Sequence, residues 1–146
     1  MSQSYDENNI FAKMLRKEIN PIIVYENQDV LAFMDLMPQS PGHILVIPRI
    51  PSRNLLDAKP ETLQTLILYV QKIAQAARIA FEADGISIRQ YNETASGQTI
   101  FHLHFHIIPH YNGHELRGHA AKNENEEQLK AYAEKIKKIL QEKNEV

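Results

Sequence analysis

The chain has 146 residues, a length that suits one compact domain, and its 43% apolar and 23% charged side chains are ordinary globular values. With 16 basic and 18 acidic side chains the formal net charge is −2, so no global positive field draws it to nucleic acid or an anionic membrane. The absence of cysteine excludes disulfides, thiolate catalysis and zinc knuckles. Residues 1–9 are polar and acidic without an apolar signal region, and no apolar run approaches the ~20 residues that span a bilayer. A cytoplasmic protein with no membrane and no nucleic-acid partner is expected.

In chain order, residues 6–19 read as a short amphipathic helix carrying Ile10, Phe11, Met14 and Leu15, with Asp6 as its cap and Asn20-Pro21 as its end. Strands follow at 22–25 and 30–35, joined by a polar turn. Residues 37–42 hold two prolines and a glycine and form a loop; 43–48 is a nearly all-apolar third strand. Three strands with short connections predict an antiparallel meander. After an irregular stretch, Pro60 suits a first helical turn. Leu63, Leu66, Ile67, Val70, Ile73, Ala74 and Ala77 then make one stripe of a long helix over 61–83. Strands are expected at 86–91 and 99–108, a polar mobile segment at 112–127, and an amphipathic helix at 128–142. No repeat or domain boundary is visible. The fold class is α+β, one antiparallel sheet with packed helices, in a single domain over 1–146 with its core at about 9–110.

The informative run is Thr99-Ile-Phe-His-Leu-His-Phe-His-Ile-Ile-Pro109. Side chains alternate across a strand, so Phe101, Leu103, Phe105 and Ile107 face a core while His102, His104 and His106 share the other face. Three histidines at period two are a poor outer-face pattern, where Thr, Lys or Glu are usual. A metal shared by all three is geometrically awkward: positions i and i+4 lie ~13 Å apart on a strand, and zinc needs each ligand within ~2.1 Å. Two neighbours could share one. Imidazole acid–base and nucleophilic chemistry fits the spacing, because i and i+2 are ~6.6 Å apart, enough to bracket one phosphorus and its leaving group. Ser96-Gly97-Gln98-Thr99 leads into the run and offers close backbone approach and donors for an anion.

His-Leu-His-Phe-His-Ile-Ile, from His102 to Ile108, resembles the histidine triad motif of alternating histidines and apolar residues. The resemblance extends from Asn9 to Pro109 through Asn9-Ile-Phe-Ala-Lys-Met, Val30-Leu-Ala-Phe-Met-Asp35, Pro38-Gln-Ser-Pro-Gly-His43 and Val46-Ile-Pro48. It implies a five-stranded sheet, usually in a homodimer, and hydrolysis or transfer at nucleotide α-phosphates. By resemblance His104 is the nucleophile that becomes nucleotidylated. His106 contacts the phosphate and assists the leaving group, His102 supports them through hydrogen bonds, and His43 is the fourth histidine of the site. Asp35 matches the acceptor of the ribose hydroxyls, with Phe33 and Leu36 close by. Ile10 and Phe11 match the base pocket, and Asn92, Gly97, Gln98 and Thr99 match the phosphate surroundings.

Departures sharpen the expectation. Many bacterial relatives carry a zinc-binding Cys-x-x-Cys where Asn9 and Ala12 stand here, so neither that zinc nor any other metal or cofactor is expected. His106 stands where the transferase branch has glutamine, which favours hydrolysis. His110, His114 and His119 lie beyond the motif in a polar loop and read as surface residues. The resemblance implies a nucleotide hydrolase acting on a nucleoside α-phosphate, of the purine nucleoside phosphoramidase or nucleoside-phosphate hydrolase type. A dinucleoside polyphosphate hydrolase, or a nucleotide-binding regulatory module with incidental turnover, would use the same residues.

Overall fold

The computed structural model describes residues 4–119 and 121–144. Its elements are α1 (Ile10–Leu15), β1 (Ile23–Glu26), β2 (Val30–Met34), β3 (Ile44–Pro48), α2 (Pro60–Ala80), β4 (Gly85–Arg89), β5 (Phe105–His110) and α3 (Glu126–Asn144). The strands form one five-stranded sheet in the order β1-β2-β3-β5-β4, with every neighbouring pair antiparallel.

Alternation along the strands divides the interior in two. Val30, Ala32, Met34, Ile44, Val46, Leu103 and Ile107 face α2 and α3, where they meet Leu66, Val70, Ile73, Leu129 and Ile136. On the opposite face Leu31, Phe33, Leu45 and Ile47 are covered by Phe11 and Met14 of α1. Because α1 is only six residues long, it roofs part of that face and leaves the β5 end for the site.

Several boundaries differ from expectation. Asn9, not Asp6, caps α1 by accepting from the Ala12 amide at 2.8 Å, and the helix stops well before Pro21, with Lys17 at φ +65°. Of the α2 stripe, Ile67 is exposed: the core takes Leu66, Val70, Ile73 and Ala77, and Ile67 lies one position off that line. Residues 99–104 are not strand, because β3 ends at Pro48 and the Leu103 amide instead donates to Ser52 O at 2.8 Å. Leu103 still points into the core and the histidines still point away from it. Phe101 breaks the pattern, lying 4.1 Å under the Arg53 guanidinium.

Around residues 111–119 and 121–125 the chain is tied down rather than loose. Arg117 N–H donates to Gln39 O at 2.7 Å, Gln39 Nε2 donates to Arg117 O at 3.2 Å, and Glu124 N–H donates to Leu36 O at 2.9 Å. It thereby closes over the β2–β3 loop. In that loop Gly42 has φ +92°, and a Cβ there would sit 2.5 Å from the Phe81 ring, so the turn that delivers His43 needs glycine. No helix among the described residues is long and apolar enough to cross a membrane.

Candidate active site

Four imidazoles converge where β3 meets β5. Their hydrogen bonds decide where each proton sits, because a carbonyl oxygen can only accept and an amide N–H can only donate. His102 Nε2 donates to Pro48 O at 2.8 Å, which leaves Nδ1 to accept from the Tyr5 hydroxyl at 2.6 Å. His104 Nδ1 donates to the backbone O of His102 at 2.7 Å, so the lone pair of His104 is on Nε2. The Gln39 amide donates to His43 Nδ1 at 3.0 Å, which places the His43 proton on Nε2. That proton faces His106 Nδ1 at 3.0 Å, and His106 is left with its own N–H on Nε2.

The outcome is one lone pair beside one donor. The His104 and His106 rings lie 5.1 Å apart, edge to face. These two keep 8% and 4% of their surface exposed, whereas His43 and His102 keep none, so His104 and His106 are the pair of rings open to the cleft and the other two lie behind them.

Burial also keeps the site neutral. It pushes His43 down to about 3, helped by positive charge at His119 and Arg89. It takes His102 to about 4 against the opposing hydrogen bond to Pro48 O, and it lowers His104 against the bond to His102 O. His106 falls to about 2, through burial first and then its neighbours His104, His43, His119 and Arg89. Burial raises Asp35, although the Met37 N–H bonded to its Oδ1 at 2.9 Å works the other way. The 3.4 Å approach of His43 Nε2 to Asp35 Oδ2 is therefore a contact of a neutral ring with a carboxyl group rather than an ion pair.

A cleft of about 210 Å³ opens on these groups. Phe11, Phe33, Ile10 and Ile100 line its apolar end, and Asp35, Leu36, Thr99, His104 and His106 line its polar end. Phe11 packs edge to face on Phe33 at 5.3 Å and on His104 at 5.0 Å, so it is core and pocket wall together. A larger hollow of about 690 Å³, between Phe81, Tyr111, Arg117 and Lys135, holds none of the triad.

Three residues expected around the phosphate are not brought to this cleft. Gln98 is buried, and its amide is committed to Asn54, the Glu93 amide, Arg53 O and Ile100 O. The side chain of Asn92 bonds the Leu55 amide and Gln90. Gly97, at φ +113°, closes the turn over Thr94–Ser96. These residues brace the segment that feeds the triad, with Arg53 holding Glu93 through two bonds of 2.8 Å. Conversely, His119 had read as a surface residue. It is exposed, but it lines the cleft with its ring 6.3 Å from His106. His114 is exposed, and His110 bonds Ser87 Oγ at 2.8 Å. Nothing in the local sequence marks Tyr5 or His119, because both reach the site through long-range packing.

Asp35, His43 and His106 bring ligand-type atoms within 4.8 Å of one another, the one such group among the described residues. The Gln39 amide argues against a cation there, since it holds the His43 proton on the nitrogen a metal would need bare. At the zinc-pair positions of the relatives, Ala12 has no ligand atom and Asn9 is engaged as the α1 cap. These residues fit a hydrogen-bond relay, not a metal.

Residues 16–113 match the HIT domain family, and the chain belongs to it. A HIT-like protein from Bartonella henselae, described as involved in cell-cycle regulation, superposes with a TM-score of 0.90 at 56% identity, covering 94% of this chain and 99% of that one. A hypothetical histidine triad nucleotide-binding protein of Sulfolobus tokodaii gives 0.84 at 30% identity, covering 90% and 91%. A zinc-bound histidine triad family protein of Mycobacterium smegmatis gives 0.82 at 28% identity, covering 94% and 96%.

Proposed function

We propose that this chain hydrolyses nucleotides at the α-phosphorus through a nucleotidyl–His104 intermediate, as a purine nucleoside phosphoramidase does. The observation that carries the reading is the fixed pair of ring nitrogens, a lone pair on His104 Nε2 beside an N–H on His106. His104 Nε2 attacks phosphorus, a P–N bond forms, and the bond to the leaving atom breaks with its electron pair going to the leaving group. The phosphorylated imidazole is then a cation, and its Nδ1–H bond to His102 O strengthens as that charge develops. The His106 N–H donates a hydrogen bond to the phosphoryl or leaving oxygen. An amine leaving group takes its proton from water. A second water attacks the same phosphorus, the P–N electron pair returns to His104, and that water's proton passes to solvent.

The apolar end of the cleft suits a base, with Ile10, Phe11 and Phe33 around it and Leu36 and Asp35 at the ribose. We place this activity in the cytoplasm, in a homodimer. No cofactor enters the reaction. A dinucleoside polyphosphate hydrolase would use the same two nitrogens. The cell-cycle role of the Bartonella protein and the nucleotide binding of the Sulfolobus one favour a second reading, a nucleotide-binding regulatory module with incidental turnover.

Rapid quench with a radiolabelled nucleoside phosphoramidate, mapped under alkali, separates them. Label is expected on the peptide containing His104, and His104→Ala should lower kcat by roughly 10⁴-fold or more while nucleotide binding persists. Full activity in His104→Ala, or label mapping reproducibly to another residue, would sink the mechanism. Slow turnover that His104→Ala leaves unchanged would favour the regulatory module.

A further inference from the structure

The described residues lining the cleft include no lysine or arginine, and Asp35 supplies a carboxylate. A nucleotide brings negative charge to this place, and beyond the imidazoles themselves a positive partner has to come from beside the lining. Three arginines are half-buried: Arg49, Arg53 and Arg89. Arg49 holds Glu26 at 3.0 Å and Arg53 holds Glu93 at 2.8 Å. The Arg89 side chain has no hydrogen bond or ion pair among the described residues, although its backbone pairs with β5. Partly withdrawing a guanidinium from water without a partner is costly unless an anion joins it in use.

Register fixes where Arg89 stands. It lies directly opposite His106 across the β4–β5 ladder, and directly opposed residues share a face. Arg89 is thus on the cleft face of the sheet. Tyr91, two residues on, reaches the same ring, with centroids 5.9 Å apart. The positive charge of Arg89 is felt at both His43 and His106.

Strand order then gives a direction. The base end is built on α1 and β2, the reacting nitrogens stand at β5, and Arg89 is on β4 one strand beyond. Strands are ~4.8 Å apart, within reach of an arginine side chain. A ligand with its base between Phe11 and Phe33 and its α-phosphorus at His104 therefore sends its leaving group toward β4.

We propose that Arg89 forms a leaving-group subsite for an anion, and that it favours nucleotides whose leaving group is a phosphate, as in nucleoside and dinucleoside polyphosphates. The inference rests on the α-phosphorus reading above and, of the two leaving groups named there, favours the phosphate of a dinucleoside polyphosphate over the amine of a phosphoramidate. A neutral His106 that donates a hydrogen bond but no proton suits this leaving group, because phosphate departs as an anion.

The test is the ratio of kcat/KM for a dinucleoside polyphosphate to that for a phosphoramidate with a neutral amine leaving group. Arg89→Gln should lower the ratio about 10- to 100-fold, the effect of one lost charged hydrogen bond, and Arg89→Lys should restore part of it. ADP and AMP binding to the His104→Ala protein gives a second readout without turnover. Any preference for ADP should disappear when Arg89→Gln is added. An unchanged ratio, equal loss on both substrates, or an ADP preference that survives would overturn the subsite. Failure of the α-phosphorus reading looks different, since it shows as no label on His104 in the otherwise unaltered chain.

Discussion

A neutral imidazole has one proton and one lone pair, and in this site backbone groups near and far decide which nitrogen has which. Asp35 is constrained in the same way. Its Oδ1 takes the Met37 amide at 2.9 Å, while Oδ2 is the oxygen near His43. With Oδ1 partly engaged, the carboxylate still has lone pairs for ribose hydroxyls. Removing one hydroxyl should cost a charged hydrogen bond, about 1.5–3 kcal/mol, which is a 10- to 100-fold preference for ribonucleotides over deoxyribonucleotides. Asp35→Ala should erase most of that preference in paired kcat/KM measurements; a preference that survives would make Asp35 only a strand-end residue. That the histidines and Asp35 lie together was legible because period-two spacing and motif order are local. Their protonation pattern was not, since for His102 it rests on Pro48 O and the Tyr5 hydroxyl, 54 and 97 positions away, and for His43 and His104 on the folded turn geometry that aims the Gln39 amide and His102 O at one ring nitrogen. Gln98 misled for a related reason: a polar side chain before a triad reads the same whether it faces a ligand or a buried Asn54.

Among the elements, β4 and α2 carry the least settled surface. β4 is an edge strand, and Ile67, Leu68 and Ile88 are 47%, 65% and 43% exposed around one shallow groove. An apolar edge strand invites pairing, and a two-fold partner presents the same patch in return. A homodimer across this face is the occupant expected here. Ile88→Glu would remove from each copy the 43% of that side chain left exposed, about 0.6–1.3 kcal/mol apiece, and leave a carboxylate in its place, so the dimer dissociation constant should rise at least about 10-fold. Light scattering at micromolar concentration should give twice the 16.8 kDa chain mass before the change and the single mass after it. A monomer at the outset would count against the homodimer. The elements themselves were largely legible, because α2 and α3 have long helical periods and the first three strands have short turns. The errors fell where tertiary contacts override local pattern. Residues 99–104 left the ladder for Ser52, and the 111–125 segment was captured by the backbone of 36–39.

At the scale of the whole molecule, the site couples folding to pH. His43, His102 and His106 are pushed down to about 3, 4 and 2, and His104 is lowered as well, all by burial first. In the unfolded chain each imidazole recovers an ordinary value near 6.5. Below that pH the unfolded state takes up protons that the native state refuses, so stability is highest above about pH 7 and falls as the pH drops. His43, His102 and His106 each contribute up to about 2 kcal/mol of loss between pH 7 and pH 5, and His104 acts in the same direction. Asp35 acts in the opposite sense, since burial raises it and protonation relieves the buried charge, but it is one group against four and acts at lower pH. Domains have about 5–15 kcal/mol in total, so the combined loss is large enough to bring acid unfolding close to pH 5. Urea denaturation at pH 7, 6 and 5 measures this directly, because the slope of the unfolding free energy against pH counts the protons taken up. An uptake of at least two protons near pH 5.5 is expected. A free energy that stays level from pH 7 to 5 would mean that the native chain protonates these rings, and the lone pair assigned to His104 would then be absent over much of that range.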